Sequence, residues 1–225
     1  MCGAAYPSRV VQTLLSLLHG LGVVPVVALT RADDAVPVVA ALRAGGLPSI
    51  EITFRTAAAV EAIERVRDAL PDVLLGAGTV LRPDQADAAV AAGARFVVTP
   101  GFNPRVVDHC LARSIPVVPG VATPGEVEAA LERGIELVKF FPAEALGGTR
   151  FLAAVAGPYP TVRFVPSGGL RSEHLAEYLA LPNVAACGGT WLAPADTVAA
   201  CDWLRVEEHA REAVGQVVAA GRRRT

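Results

Sequence analysis

"RFVVTPGFNPRVVDHCLARSIPVVPGVATPGEVEAALERGIELVKFF", residues 95–141, contains three short β-rich runs: "RFVVTP" from 95, "PVVPGV" from 116 and "IELVKFF" from 135. Helix-start signals stand between them. Asn103 precedes Pro104, and Thr123 precedes Pro124 with Glu126 three residues after the cap. A cap side chain accepts from a free N–H of the first turn, and proline there removes an N–H that would have no partner. Strand, cap, helix, strand is the repeating unit of a parallel sheet with right-handed crossovers.

The same unit extends in both directions. Apolar runs recur at "VVPVVAL" from 23, "SIEITF" from 49, "VLLGAG" from 73, "VRFVPSGG" from 162 and "VAACGG" from 184. Segments of helical period, such as "TAAAVEAIERVRDAL" and "RPDQADAAVAAGA", separate them. Eight strands alternating with helices, without a linker or a shift in composition, predict one α/β domain over 1–225. Closing eight units gives a (β/α)8 TIM barrel, with "PSRVVQTLLSLLHG" as an extra N-terminal helix over about 8–20. The chain is short for that fold, so its loops must be short. An open doubly wound sheet is the competing architecture, weakened because no GxGxxG opens a helix.

Composition bounds the function. The formal net charge of −2 and the scattered basic residues argue against a nucleic-acid surface. The terminal "GRRRT" reads as a solvated tail, disordered from about 220. No apolar run reaches the ~18 residues of a membrane span, and the start shows no leader, so the expected location is cytoplasmic. Cysteines 2, 110, 187 and 201 and histidines 19, 109, 174 and 209 have no metal-ligand spacing. They read as reduced structural thiols and dispersed imidazoles, with no metal site.

One residue stands out. The chain has 20 Lys plus Arg, and Lys139 is its only lysine. A GC-rich coding bias explains the scarcity but not the position, in the middle of an apolar strand. Strand period 2 puts Leu137, Lys139 and Phe141 on one face, opposite Val138 and Phe140. It likewise groups Glu51, Thr53 and Arg55 against Ile50, Ile52 and Phe54. The wholly apolar faces should meet the helices, so the charged faces should point into the barrel at its C-terminal end, where such folds carry their chemistry.

Lys139 could be structural, pairing with Glu51 or snorkelling out of the strand end. Arginine makes better structural pairs, however, and cannot act as an amine nucleophile toward a carbonyl. A Schiff-base lysine fits, and apolar surroundings favour the free amine it needs. Glu51 is the candidate proton shuttle, with a structural partnership to Arg55 or Lys139 as its alternative. Arg55 could grip a carboxylate through two N–H groups, and Thr79 could add a hydroxyl, although "GAGTV" reads equally as a tight strand-end turn. Ser167-Gly168-Gly169 and Gly188-Gly189-Thr190 end the last two strands, where barrels bind phosphate on backbone N–H groups and a helix N-terminus.

"EITFRT", "GAGTVL", "VTPGF", "VKFFPAE", "GGTRFLAAVAGP", "VRFVPSGGL" and "CGGTWL" together resemble the 2-keto-3-deoxy-6-phosphogluconate (KDPG) aldolases, which also cleave 4-hydroxy-2-oxoglutarate (KHG). The resemblance runs in order from about residue 10 to 217. It implies a homotrimeric (β/α)8 class I aldolase of the Entner–Doudoroff route, needing no metal or other cofactor. It assigns the Schiff base to Lys139, acid/base work to Glu51 and carboxylate binding to Arg55 and Thr79. Pro100 and Phe141 would line the pyruvate pocket. Phosphate would sit on Ser167, Gly168, Gly169, Gly188, Gly189 and Thr190. Ser167 and Thr190 stand where the family often has threonine and serine, each keeping a hydroxyl. Thr30-Arg31 departs where relatives carry basic residues, which leaves the contact of Arg31 open. The rival functions are an aldolase for the phosphogalactonate epimer, a metal-dependent pyruvate aldolase and a non-catalytic sugar-phosphate-binding barrel.

Overall fold

A computed structural model describes residues 8–222. Helix α1 (Ser8–Leu21) leads into β1 (Val23–Val27), followed by α2 (Ala35–Ala44), β2 (Ser49–Thr53) and α3 (Ala59–Ala69). Then come β3 (Leu74–Gly78), α4 (Pro83–Ala92), β4 (Phe96–Val98) and α5 (Pro104–Ala112). Short strands β5 (Val117–Val118) and β6 (Gly120–Val121) precede α6 (Pro124–Leu131), β7 (Leu137–Phe140) and α7 (Gly148–Ala156). The chain continues through β8 (Arg163–Pro166), α8 (Leu175–Leu179), β9 (Cys187–Gly189), α9 (Ala195–Ala199) and α10 (Trp203–Ala219).

The capping chemistry forms as the residue types require. The Asn103 side chain accepts from the Arg105 N–H at 3.1 Å. Thr123 and Glu126 make the reciprocal capping box that starts α6.

All strand pairs are parallel, and the sheet curls. Six strands pair in the order β5-β4-β3-β2-β1-β9, and three in the order β6-β7-β8. Pro119 explains the split between β5 and β6. It has no N–H to give a ladder, so pairing passes from β4 on one side to β7 on the other. Its carbonyl still accepts from Lys139 N at 2.8 Å. Isolated bridges Phe164↔Val184 and Ser167↔Gly188 join β8 to the run that ends in β9.

Alternation along the strands makes two apolar layers. Ile50, Ile52, Val138 and Phe140 belong to the outer cluster under the helices. Leu74, Phe96, Val98, Val118, Leu137 and Val165 form a separate inner cluster, which takes Leu14 and Leu18 of α1. Each such buried side chain contributes about 1.5–3 kcal/mol. The inner face also needs missing side chains: a Cβ on Gly76 would stand 2.2 Å from the Phe96 ring.

At the C-terminus, residues 220–222 of the expected tail are held. Arg222 donates to the carbonyls of Leu179 and Val184 at 2.9 Å each, and to that of Ala185 at 3.5 Å. Residues 1–7 and 223–225 lie outside the described part. Among the described residues, no helix is long and apolar enough to cross a membrane.

Candidate active site

Third in β2 is Glu51, and third in β7 is Lys139; strand period turns both inward. Lys139 Nζ donates to Glu51 Oε1 at 3.2 Å, with the two residues 4% and 5% exposed. No other ion pair among the described residues is as deeply enclosed. Such a pair is weak evidence for stability, because desolvating two charges offsets most of their attraction. The Lys139 ammonium also lies 5.5 Å from the centre of the Phe141 ring.

The carboxylate of Glu51 fits only because β3 has no side chain beside it. Glu51 is in register with Gly76 and Thr53 with Gly78, and a Cβ on Gly78 would come within 2.0 Å of Glu51 Oε1. Beyond Gly78 the chain turns at Thr79, whose φ of +55° is costly for a β-branched residue. Its hydroxyl accepts from Arg55 Nε at 3.2 Å. Across the site, Thr99 Oγ1 donates to the Gly101 carbonyl at 2.7 Å and accepts from Gly120 N at 3.1 Å, fixing the turn that holds Pro100.

The two glycine pairs do meet. Ser167 and Gly188 are bridge partners. Gly168 (φ +93°) and Gly169 (φ +84°) take left-handed conformations that other residues avoid. Ala143 N and Glu144 N donate to the carbonyls of Ser167 and Gly168 at 2.8 and 3.1 Å, docking the segment after β7 against this loop. The helices that follow are short: a three-residue 3₁₀ turn and then α8 on one side, and α9 on the other. Neither glycine loop therefore runs directly into a long helix.

A cleft of about 620 Å³ opens over these loops, walled by Thr53, Arg55, Gly169, Arg171, Thr190 and Trp191 among others. Lys139, Glu51, Ser167 and Gly188 line a separate small void beneath it, closed at the far end by Leu18. The Lys139–Glu51 pair thus lies under the floor of the cleft.

A family model described as "KDPG and KHG aldolase" matches residues 14–209. The chain belongs to that aldolase family. A 2-dehydro-3-deoxy-phosphogluconate aldolase of Treponema pallidum is 56% identical over 194 residues, 86% of this chain and 92% of that one. The solved KDPG aldolase of Legionella pneumophila, with pyruvate captured as a covalent carbinolamine, is 39% identical with a TM-score of 0.85, covering 88% of this chain and 96% of that one. A native KDPGal structure is more distant: 29% identical, TM-score 0.78, covering 88% and 95%.

Several features of this family member escaped the sequence reading. Arg171 and Trp191 line the cleft but were not singled out. For Arg171 the available signal was a cation two residues after Gly168-Gly169. Thr53 Oγ1 and Trp191 Nε1 are buried without a partner among the described residues. Such an atom ordinarily costs about 1–3 kcal/mol. Arg31 pairs with Asp33 at 3.5 Å and Asp34 at 4.0 Å, and it lies outside the cleft wall. Gly189 makes room for the Trp191 ring, which a Cβ would meet at 2.6 Å. Two of the thiols are buried and passive: burial, and then Asp87, pushes Cys110 up to about 11, and burial raises Cys187 further.

Proposed function

We propose that this protein is a class I aldolase that cleaves KDPG to pyruvate and glyceraldehyde 3-phosphate, and also KHG to pyruvate and glyoxylate. The observation that carries the reading is the enclosed Lys139–Glu51 pair, built around the chain's single lysine. An arginine would serve a structural pair at least as well, but it could not form an imine. The scaffold is a closed (β/α)8 barrel with α1 as its additional helix. Pro119, the β8–β9 bridges and the seating of Leu14 and Leu18 support that reading.

In the mechanism, the Lys139 amine attacks the keto carbon and the carbinolamine loses water to give an iminium. Glu51, acting through a water, takes the proton of the 4-hydroxyl. The electrons of the C3–C4 bond flow into the iminium, and glyceraldehyde 3-phosphate leaves. Glu51 then returns a proton to C3 of the enamine, and hydrolysis releases pyruvate and the free lysine. Arg55 and Thr79, already hydrogen-bonded to one another, hold the carboxylate, while Pro100 and Phe141 enclose the methyl end. Phosphate is bound by the N–H groups of Gly168, Gly169, Gly188 and Gly189 with the hydroxyls of Ser167 and Thr190, the Ser167 N–H being already donated to the Phe140 carbonyl at 2.9 Å. The assembly is a homotrimer, as the family resemblance implies.

Mass spectrometry after pyruvate and borohydride tests the reading. One reduced adduct on Lys139 with loss of activity is expected, and resistance to EDTA separates it from a metal-dependent aldolase. An adduct confined to the N-terminal amine, with activity intact, would sink it. Turnover of the two C4 epimers decides against the phosphogalactonate enzyme, and light scattering tests the trimer. For phosphate the informative variant is Thr190→Ala. A larger residue at Gly168 would strike Phe141 and Pro142, so its effects would reach the pyruvate end as well. Thr190→Ala should lower kcat/KM for KDPG and spare KHG; equal losses would remove Thr190 from the phosphate site.

A further inference from the structure

We infer that the Thr53 hydroxyl is a substrate-positioning group, hydrogen-bonding the hydroxyl that the aldehyde half carries one carbon beyond the cleaved bond. The inference rests on the aldolase reading above. Thr53 is 1% exposed, and its Oγ1 has no partner among the described residues. It shares the inward face of β2 with Glu51 and forms part of the cleft wall with Arg55, Gly169 and Thr190. A strand rises about 3.3 Å per residue, so Thr53 stands roughly 7 Å beyond Glu51 toward the cleft. A substrate whose reacting carbons lie over Lys139 and whose phosphate lies on Gly169 and Thr190 must pass it.

An unpaired hydroxyl alone would carry nothing. Ser49, one inward step below Glu51, is equally buried and unpaired, yet it lines neither the cleft nor the small void around Lys139. What separates Thr53 is the cleft. Valine would fill the same volume with equal ease in a strand, so the oxygen is what threonine adds here.

The test runs the reaction toward addition, with pyruvate and either glyceraldehyde 3-phosphate or 3-oxopropyl phosphate, which lacks only the hydroxyl in question. The unaltered protein should favour the hydroxylated aldehyde by about tenfold in kcat/KM, on the scale of one hydrogen bond. Thr53→Val should erase that preference while staying within about twofold on the deoxy aldehyde, without a lower Tm. Thr53→Ser should restore most of the preference, and Ser49→Ala should leave it intact. A preference unchanged in Thr53→Val, or equal losses on both aldehydes, would overturn the assignment. No addition to either aldehyde by the unaltered protein would overturn the aldolase reading itself.

Discussion

The two ends of the strands are built on opposite terms. At the C-terminal end the chain buries an ion pair, twists Thr79 to a positive φ and leaves Thr53 Oγ1 unpaired. At the N-terminal end Leu14 and Leu18 close the inner cluster, and Arg222 gives its N–H groups to three carbonyls. Ser49 Oγ and Asn183 Oδ1 stay unpaired there, but no ion pair of the described residues is buried and the apolar groups are covered. The difference teaches where stability resides: one end supplies it, and the other can carry arrangements that cost free energy. Variants at the two ends should therefore separate activity from stability.

Lys139→Arg should have the largest effect, because it keeps the charge and removes the nucleophile. A loss of at least ~10³-fold in kcat is expected with a native circular dichroism spectrum. Retained turnover would show that the enclosed pair belongs to the stabilising set. Glu51→Gln comes next, slowing cleavage and the exchange of pyruvate methyl protons with deuterium by ~10²-fold or more, while borohydride still traps some adduct. Unchanged exchange would make Glu51 structural.

Gly78→Ala sharpens the contrast. A Cβ there would push the Glu51 carboxylate aside, so kcat should drop roughly 10- to 100-fold without touching a polar residue. Wild-type kinetics would mean that the strand yields instead. Arg222→Ala works on the other end: three hydrogen bonds go, stability should fall by about 1–3 kcal/mol in urea, and kcat/KM should not change. A kinetic loss without a stability loss would break the division.

The smallest effect concerns pH. Partial desolvation first, then the charges of Arg222 and Arg163, hold the His19 imidazole below its usual value. The unfolded chain therefore binds the proton more readily. Stability should be complete above about pH 6.5 and decline as the pH falls from there toward the lowered folded-state value. His19 is exposed, so the slope should be shallow. Comparing Tm at pH 7.5 and 5.5 with the His19→Gln variant checks it; an identical slope in both removes His19 from the account.

What the sequence made legible was local. Two-residue alternation assigned Lys139 and Glu51 to one layer and Val138 and Ile52 to the other, and Thr123-Pro124 with Glu126 marked a helix start that forms a capping box. Fold and candidate pair followed from such patterns. What stayed hidden depends on register between strands. "LLGAG" shows two glycines, but nothing nearby says that one clears Phe96 and the other Glu51. Gly189 reads as a phosphate glycine, while its packing requirement comes from Trp191. The division of one apolar run at Pro119 and the shortness of α8 and α9 likewise depend on neighbours far away in the chain.

The enclosure of Lys139 has a consequence for labelling chemistry. Guanidinium groups ignore acylating esters near neutral pH, so the folded surface offers such reagents no side-chain amine. The N-terminal amine alone should accept a bulky label quickly. A second label can attach only when the strands part far enough to admit the reagent, and its arrival, seen as one added mass, would time the opening of individual molecules without any introduced probe.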